Sequence, residues 1–482
     1  MAGSELKEKT ISGMIWTSVG KFGTSGLAFL SNLVLARLLL PHDFGCIAML
    51  QVFIAISTIF VTGGFGAALV QKKDPQHIDY TSVFYWNLVS SIFFYGVLFF
   101  CSPAIARYYA MSELSAVLRV QSISLIIQAF SMVQSSQLQK QLRFKELSVR
   151  NIVAALVGAM VAIIMALLGF GVWSLVASQI VTSLAGVLLL WKMSSWRPTW
   201  EFSMQSLKEL FAFGGLMALS SLVETVYTNL QSLIIGKLYS PEDLGYYNQA
   251  KKLEAMPTDS LSQIVNQVSF PVFAALQDDK ERLLSGVRKN IKAITYLNFP
   301  MMALMIVIAH PIITFLYGKN WEPSVPYFQI LCISSMVYTL NTLNTNVIKS
   351  LGKSKIYFFV QLAKRLIGIG LIFFGVQFGI MGLLWGVTSV GYICVIINAI
   401  VNKRLINYGI WAQIKDVGIC YLLAALLAVV VYYIGTLIPV HEYVLMFIQA
   451  ALYAGLYWLF SIILKLEGYQ TYREIILKKI KR

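Results

Sequence analysis

The chain has 482 residues, 57% of them hydrophobic and only 12% charged, with a formal net charge of +16 and a mean hydropathy of +0.70. A soluble protein of this length needs a charged surface that this composition does not supply. No soluble basic domain is present to turn the positive charge towards nucleic acid, and the ~10-residue alternating strands of a membrane β-barrel are absent.

The fold class that follows is all-α, a polytopic membrane protein. Apolar runs between turn signals predict about fourteen transmembrane helices. Their spans are 11–36, 44–70, 80–103, 113–139, 147–169, 171–194, 207–236, 243–275, 290–316, 325–348, 355–377, 379–402, 414–438 and 442–465. Residues 1–10 are polar, and the first apolar run passes 20 residues without a small-residue cleavage site, so no cleavable export signal is expected.

The first predicted helix carries Gly13, Thr17, Lys21, Thr24, Ala28 and Ser31 at steps of three and four, a single stripe along one face. It ends in LVLARLLLPHDFG, Leu33–Gly45. The same pattern returns 200 residues later as LIIGKLYSPEDLG, Leu233–Gly245, with Pro41, Asp43 and Gly45 matched by Pro241, Asp243 and Gly245. Carried over by 200, the stripe becomes Phe213, Met217, Ser221, Glu224, Thr228 and Gln231, polar from Ser221 onward. A second echo links GFGVWSLV at Gly169–Val176 to QFGIMGLL at Gln377–Leu384. Six crossings separate the first and seventh helices, so the halves enter the membrane in the same direction, as parallel transporter repeats do. The expected domains are 1–200, 201–403 and an appended helix pair with a basic tail, 404–482.

Loop charge sets the expected orientation. With the N-terminus cytoplasmic, inside connections and tail hold 28 Lys and Arg, and outside connections hold only Arg37, Arg107, Lys237 and Lys319. Both termini are therefore expected on the cytoplasmic side. The tail, 466–482, is basic with apolar Ile475, Ile476, Leu477 and Ile480, and is expected to lie on the inner leaflet or dock a partner.

Six basic residues remain inside predicted helices: Lys21, Arg119, Lys251, Lys252, Lys364 and Arg365. Facing lipid, they would together cost roughly 15–20 kcal/mol, more than a typical folding stability of ~5–15 kcal/mol. Most must meet water, counter-ions or a ligand. Glu224, Glu254 and Asp259 share the zone and are the candidates for coupling to an ion. Local alternatives stand beside this reading. Lys251 and Glu254, three apart, can neutralise each other. Arg119 can snorkel to the surface, and Lys364 with Arg365 can stretch to the inner interface. Lys21 has no acidic neighbour on its own helix and is the leading ligand contact. Thr17, Thr24, Ser221 and Thr228 line the two stripes. Asn248 on the eighth helix and Asn341 on the tenth belong to polar faces that suggest a water-filled surface. Pro257 and Pro300 are expected to bend their helices.

Catalytic and metal motifs are missing. Five cysteines make no CxxC pair and four histidines lie in separate segments, so no metal site and no cofactor are expected. Gly352–Ser354 reads GKS but lacks the upstream glycine of a phosphate loop. No DxD, HExxH or GxSxG occurs, against a membrane glycosyltransferase or polymerase. An ion-coupled drug exporter remains the other transport reading, one that would favour an acidic or apolar cavity.

Three stretches carry a family resemblance: LGYYNQAKKLEAMPTDSLSQIVNQVSFPVFAALQ (Leu244–Gln277), FLYGKNWEPSVPYFQIL (Phe315–Leu331) and QLQKQLRFKEL (Gln137–Leu147). The chain resembles the polysaccharide-transporter branch of the multidrug/oligosaccharidyl-lipid/polysaccharide exporter superfamily, whose members include Wzx-type flippases of bacterial inner membranes. The resemblance implies two six-helix lobes in a V, with the last helix pair similar to the tail-binding pair of lipid II flippases. It implies, as substrate, an undecaprenyl-pyrophosphate-linked oligosaccharide moved outward by alternating access. Its partners would be this substrate, membrane lipids and other polysaccharide-assembly proteins, with no nucleic acid. The family has no strict catalytic motif, so the candidate residues rest on charge and position alone.

Overall fold

A computed structural model describes residues 2–480, with side chains for 11–474 except 264 and 268, and for 477. The side chains of Lys7, Lys9, Ile475, Ile476, Lys478, Lys479, Ile480, Lys481 and Arg482, used above for orientation and tail, lie outside the described residues. All regular structure among the described residues is helical. The chain divides into two compact units, Met1–Gly245 and Tyr246–Arg482.

The first unit holds α1 (Ala2–Leu38), α2 (Pro41–Thr62), α3 (Phe65–Gln71), α4 (His77–Tyr108), α5 (Glu113–Gln121), α6 (Ile123–Ala129), α7 (Met132–Lys140), α8 (Phe144–Leu167), α9 (Val172–Met193) and α10 (Met204–Leu238). It also contains the start of α11 (Pro241–Ala275). Small residues let α1 lie close on α8. Gly13 meets Phe144, Gly20 meets Ser148 and Gly23 meets Ile152, and the Ser148 hydroxyl donates to the Trp16 carbonyl at 2.7 Å. Gly13, grouped by sequence with the polar stripe, therefore belongs to this seam.

The segment expected as one helix over 44–70 breaks at Gly63 and Gly64, both in the left-handed region. A side chain on Gly64 would collide with the Gly214 backbone of α10, so close approach of two backbones fixes the break there. Phe65, Leu69, Val83, Phe84, Val133 and Trp196 form the core below it. The helix expected over 113–139 is three helices, α5 to α7, with a 41° bend before Met132. Each recurrence of the Pro-x-Asp turn opens a helix. Pro41 begins α2, and Asp43 accepts the Leu40 N–H at 3.0 Å. Asp243 accepts the Ser240 N–H at 3.3 Å and its hydroxyl at 3.0 Å.

The second unit continues with α12 (Lys280–Val307), α13 (Ala309–Tyr317), a 3₁₀ turn (Lys319–Ser324), α14 (Val325–Met336) and α15 (Tyr338–Ser350). It closes with α16 (Ser354–Val376), α17 (Gly379–Ile406), α18 (Ile410–Leu437), α19 (Glu442–Ile463) and α20 (Glu467–Ile480). α12 is the hub, packing on α14, α15, α18 and α20. The expected helix over 290–316 stops at Ile308 and restarts as α13. Pro300 lies within α12, which runs through it. The expected tenth helix breaks at Val337, where Asn298 of α12 donates its amide to the freed carbonyls of Ser335 (3.0 Å) and Met336 (2.7 Å). The tail lies partly along α12: Tyr472 donates to the Ala293 carbonyl at 3.3 Å, and Lys292 pairs with Glu467 at 2.6 Å.

Eleven of the described helices are long and apolar enough to cross a membrane, or twelve if the bent α5–α7 segment is one span. The chain is thus a multi-pass membrane protein. The two further spans in the expected fourteen correspond to α11, which is too polar for that criterion, and to the broken pair α14–α15.

Candidate polar and cationic site

In the first unit, Lys21 is exposed on α1, on the side away from the glycine seam, with Thr17 exposed one turn before it. Its ammonium makes no hydrogen bond or ion pair among the described residues. Thr24 is half-buried and returns its hydroxyl to the Gly20 carbonyl at 2.8 Å, which leaves little of it for a ligand. On α10, Ser221, Glu224 and Thr228 are all exposed, and Thr228 donates to the Glu224 carbonyl at 2.9 Å. Thr17 and Lys21 on α1 and Ser221, Glu224 and Thr228 on α10 are thus exposed, while Gly13 is buried and Thr24 half-buried. Arg119 turns inward: its Nε donates to Ser102 Oγ at 2.8 Å and to the Phe99 carbonyl at 3.3 Å, with the guanidinium 4.4 Å from the Phe99 ring centre. It fastens α5 to α4 and neither snorkels nor stands free.

In the second unit, α11 carries Lys251 half-buried, 5.5 Å from the centre of the Tyr247 ring, and Lys252, Asp259 and Ser260 exposed. Asn248 is half-buried on the same helix. Glu254 is buried and held as an acceptor, with Thr258 donating to Oε1 at 2.7 Å. No close ion pair joins it to Lys251 among the described residues, although the Lys251 charge lies within electrostatic reach of its carboxylate. The neighbours Lys364 and Arg365 part company. Lys364 is buried with Val360, Gly368 and Ile372 on the face towards α17, within electrostatic reach of Cys394, while Arg365 is half-exposed.

The polar residues of the tenth helix are chiefly glue. Asn341 is half-buried, donating to the Gly391 carbonyl at 2.8 Å and accepting from Asn398 at 3.0 Å. Asn344 and Gln413 exchange two amide hydrogen bonds of 3.0 Å, and Asn402 donates to Asn344 Oδ1 at 2.8 Å, all three fully buried. The water-filled surface expected there is therefore not what these side chains make.

Sequence reading missed a charged cluster where α12, α18 and α20 meet. Arg288 donates to both carboxylate oxygens of Asp416 at 2.7 Å, Lys292 reaches Asp416 at 3.1 Å, and the Tyr408 hydroxyl donates to it at 2.9 Å. Burial, then the Asp416 charge, push the Tyr408 phenol well above its ordinary range. Two cavities of about 620 and 340 Å³ adjoin the cluster. Arg288 and Lys292 were counted only as loop charges, and nothing in their local sequence names Asp416 as a partner 128 residues from Arg288.

Comparison with known proteins adds a family. Residues 34–326 match the family model described as "Polysaccharide biosynthesis protein". The chain is 27% identical to the succinoglycan biosynthesis transport protein ExoT of Rhizobium meliloti, over 82% of this chain and 81% of that protein. It is 25% identical to the lipopolysaccharide biosynthesis protein WzxC of Escherichia coli, over 82% and 80%. Among solved structures, it resembles the lipid II flippase MurJ in its inward closed conformation. The TM-score is 0.74 at 16% identity, covering 96% of this chain and all of that one, a likeness of fold.

Proposed function

Because the chain belongs to the polysaccharide biosynthesis protein family, we propose that it is a transporter that moves a lipid-linked oligosaccharide across a membrane. The substrate is an undecaprenyl-pyrophosphate-linked sugar, carried from the inner to the outer leaflet of a bacterial plasma membrane by alternating access. The membrane sidedness is that of the loop charges, with both termini cytoplasmic. The repeat halves 1–200 and 201–403 are the moving parts, and 404–482 is appended to them.

The observation that carries this reading is Lys21, an exposed cation with no hydrogen bond or ion pair among the described residues, on a polar helix face in a membrane-spanning segment. An uncompensated ammonium there is costly unless water or an anion meets it. A pyrophosphate supplies about two negative charges and strong acceptors, which suit an exposed cation such as Lys21 of the first unit, and Lys251, Lys252 and Arg365 are the cationic candidates of the second unit. Hydroxyl-rich sugar suits Thr17, Ser221, Thr228 and Asn248. Arg119 fastens α5 to α4, Asn341 joins α15 to α17, Lys364 is buried on the α16 face towards α17, and Thr24 ties its hydroxyl to its own helix. Glu254, buried and hydrogen-bonded, is the carboxylate best placed to exchange a proton, with Glu224 and Asp259 exposed on the surfaces of α10 and α11. Outward movement of two negative charges gains ~2.3 kcal/mol per charge per 100 mV, so the membrane potential favours export.

The test is reconstitution. Proteoliposomes loaded with a lipid-pyrophosphate oligosaccharide are assayed for the leaflet in which the sugar is accessible. Movement faster than in protein-free vesicles supports the assignment; equal rates with every such lipid overturn it.

A further inference from the structure

His42, Cys46 and Glu113 meet in the first unit, where α2 begins beside the start of α5. His42 and Cys46 stand one turn apart on α2, and Glu113 is the first residue of α5. His42 Nε2 lies 3.3 Å from Glu113 Oε1. Cys46 Sγ lies 3.3 Å from the same oxygen and 3.6 Å from His42 Nδ1. Bonds of about 2.0–2.3 Å from a tetrahedral Zn²⁺ to nitrogen, oxygen and sulfur put such atoms roughly 3.3–3.7 Å apart. One donor atom from each residue lies within 4.8 Å of the other two, so a modest turn of the imidazole completes the set.

Access and charge fit an ion. The thiol is fully buried at the bottom of the cluster, and the His42 and Glu113 side chains are 35% and 47% exposed above it. Asp43 and Glu242 add negative charge within electrostatic reach of the thiol. An ion pair alone would account for His42 and Glu113. The buried thiol aimed at their shared carboxylate makes a mixed N, O and S donor set, the kind that borderline-soft dications select.

We propose that His42, Cys46 and Glu113 bind a zinc-class divalent cation, with solvent in the fourth position. Binding forms the Sγ–metal bond and releases the thiol proton to water. The ion ties α2 to α5. This site is separate from the transport residues, and its failure would leave the transport assignment intact.

Purified full-length protein in detergent is titrated with Cd²⁺, followed by the thiolate-to-Cd²⁺ charge-transfer absorbance, with Zn²⁺ as competitor. One Cd²⁺ per chain, displaced by Zn²⁺, is expected. Cys46→Ser should abolish the band, Glu113→Gln should weaken binding at least about tenfold, and Cys101→Ser, at an exposed thiol, should change neither. Absence of the band in the wild type, its survival in Cys46→Ser, or its loss in Cys101→Ser overturns the proposal. If Cys46→Ser does not fold, Glu113→Gln decides, and unchanged affinity there overturns it.

Discussion

Gly45 faces the carbonyl oxygen of Pro241, and Gly245 faces the carbonyl oxygen of Pro41. A Cβ at either glycine would overlap that oxygen. The two copies of the Pro-x-Asp-x-Gly turn, 200 residues apart in sequence, therefore pack reciprocally on each other within the first unit. Each proline opens a helix, each aspartate caps it, and each glycine makes room for the other copy's proline.

Alanine at Gly45 or Gly245 forces backbone apart and should destabilise the protein by about 1–3 kcal/mol. Gly26, with nothing within 4 Å of its would-be Cβ, should instead gain roughly 0.5–1 kcal/mol as alanine in a helix. Thermal unfolding in detergent separates the two; equal shifts would contradict the packing.

The Asn344–Asn402–Gln413 cluster stands or falls together. Asn344→Leu strands the buried amides of Asn402 and Gln413 and should cost about 1–3 kcal/mol for each group left unmade. The same thermal assay reads it, and a neutral result would show that other partners replace Asn344.

At the loop before α4, Lys72 donates to Asp79 at 3.0 Å, and Asp79 caps the helix by accepting the Gln76 N–H at 2.8 Å. The Asp79 hydrogen bond raises the Lys72 pKa above its usual value of 10.5. A raised lysine pKa means stability fully present below 10.5 and lost as pH climbs through the folded-state value. Lys72→Gln should therefore lower the melting temperature at neutral pH, with the gap to wild type narrowing above the ordinary lysine range. A gap independent of pH would remove the charge from the account.

Glu254→Gln keeps an acceptor for Thr258 and removes the proton-exchanging group. The variant should fold, and its transport should lose dependence on an imposed proton or sodium gradient. An undiminished response to the gradient would exclude Glu254 from coupling.

The helices were largely legible because apolar length is a local property, and the repeat was legible because proline, aspartate and glycine each answer a backbone demand at the turn. The breaks were less so. Gly63 and Gly64 signalled a break only in hindsight of Gly214, and nothing near Val337 announces that Asn298 will satisfy the freed carbonyls there. Side-chain roles diverged for the same reason. Lys364 and Arg365 are neighbours in sequence, but helical rotation sends one into the α17 seam and leaves the other half-exposed. Glu113 is 67 residues from Cys46, so no local spacing could join it to His42 and Cys46.

The central claim is that an exposed cation on α1 receives a phosphorylated lipid headgroup during transport. The most direct measurement compares initial flipping rates of a lipid-pyrophosphate oligosaccharide and a phosphate-free glycolipid bearing the same sugar, in wild-type and Lys21→Ala proteoliposomes. The account predicts that wild type prefers the pyrophosphate lipid and that Lys21→Ala slows it roughly ten- to hundredfold, the loss of one charge-assisted contact of about 1.5–3 kcal/mol. Equal rates for the two lipids, or an unchanged rate in Lys21→Ala, would contradict it.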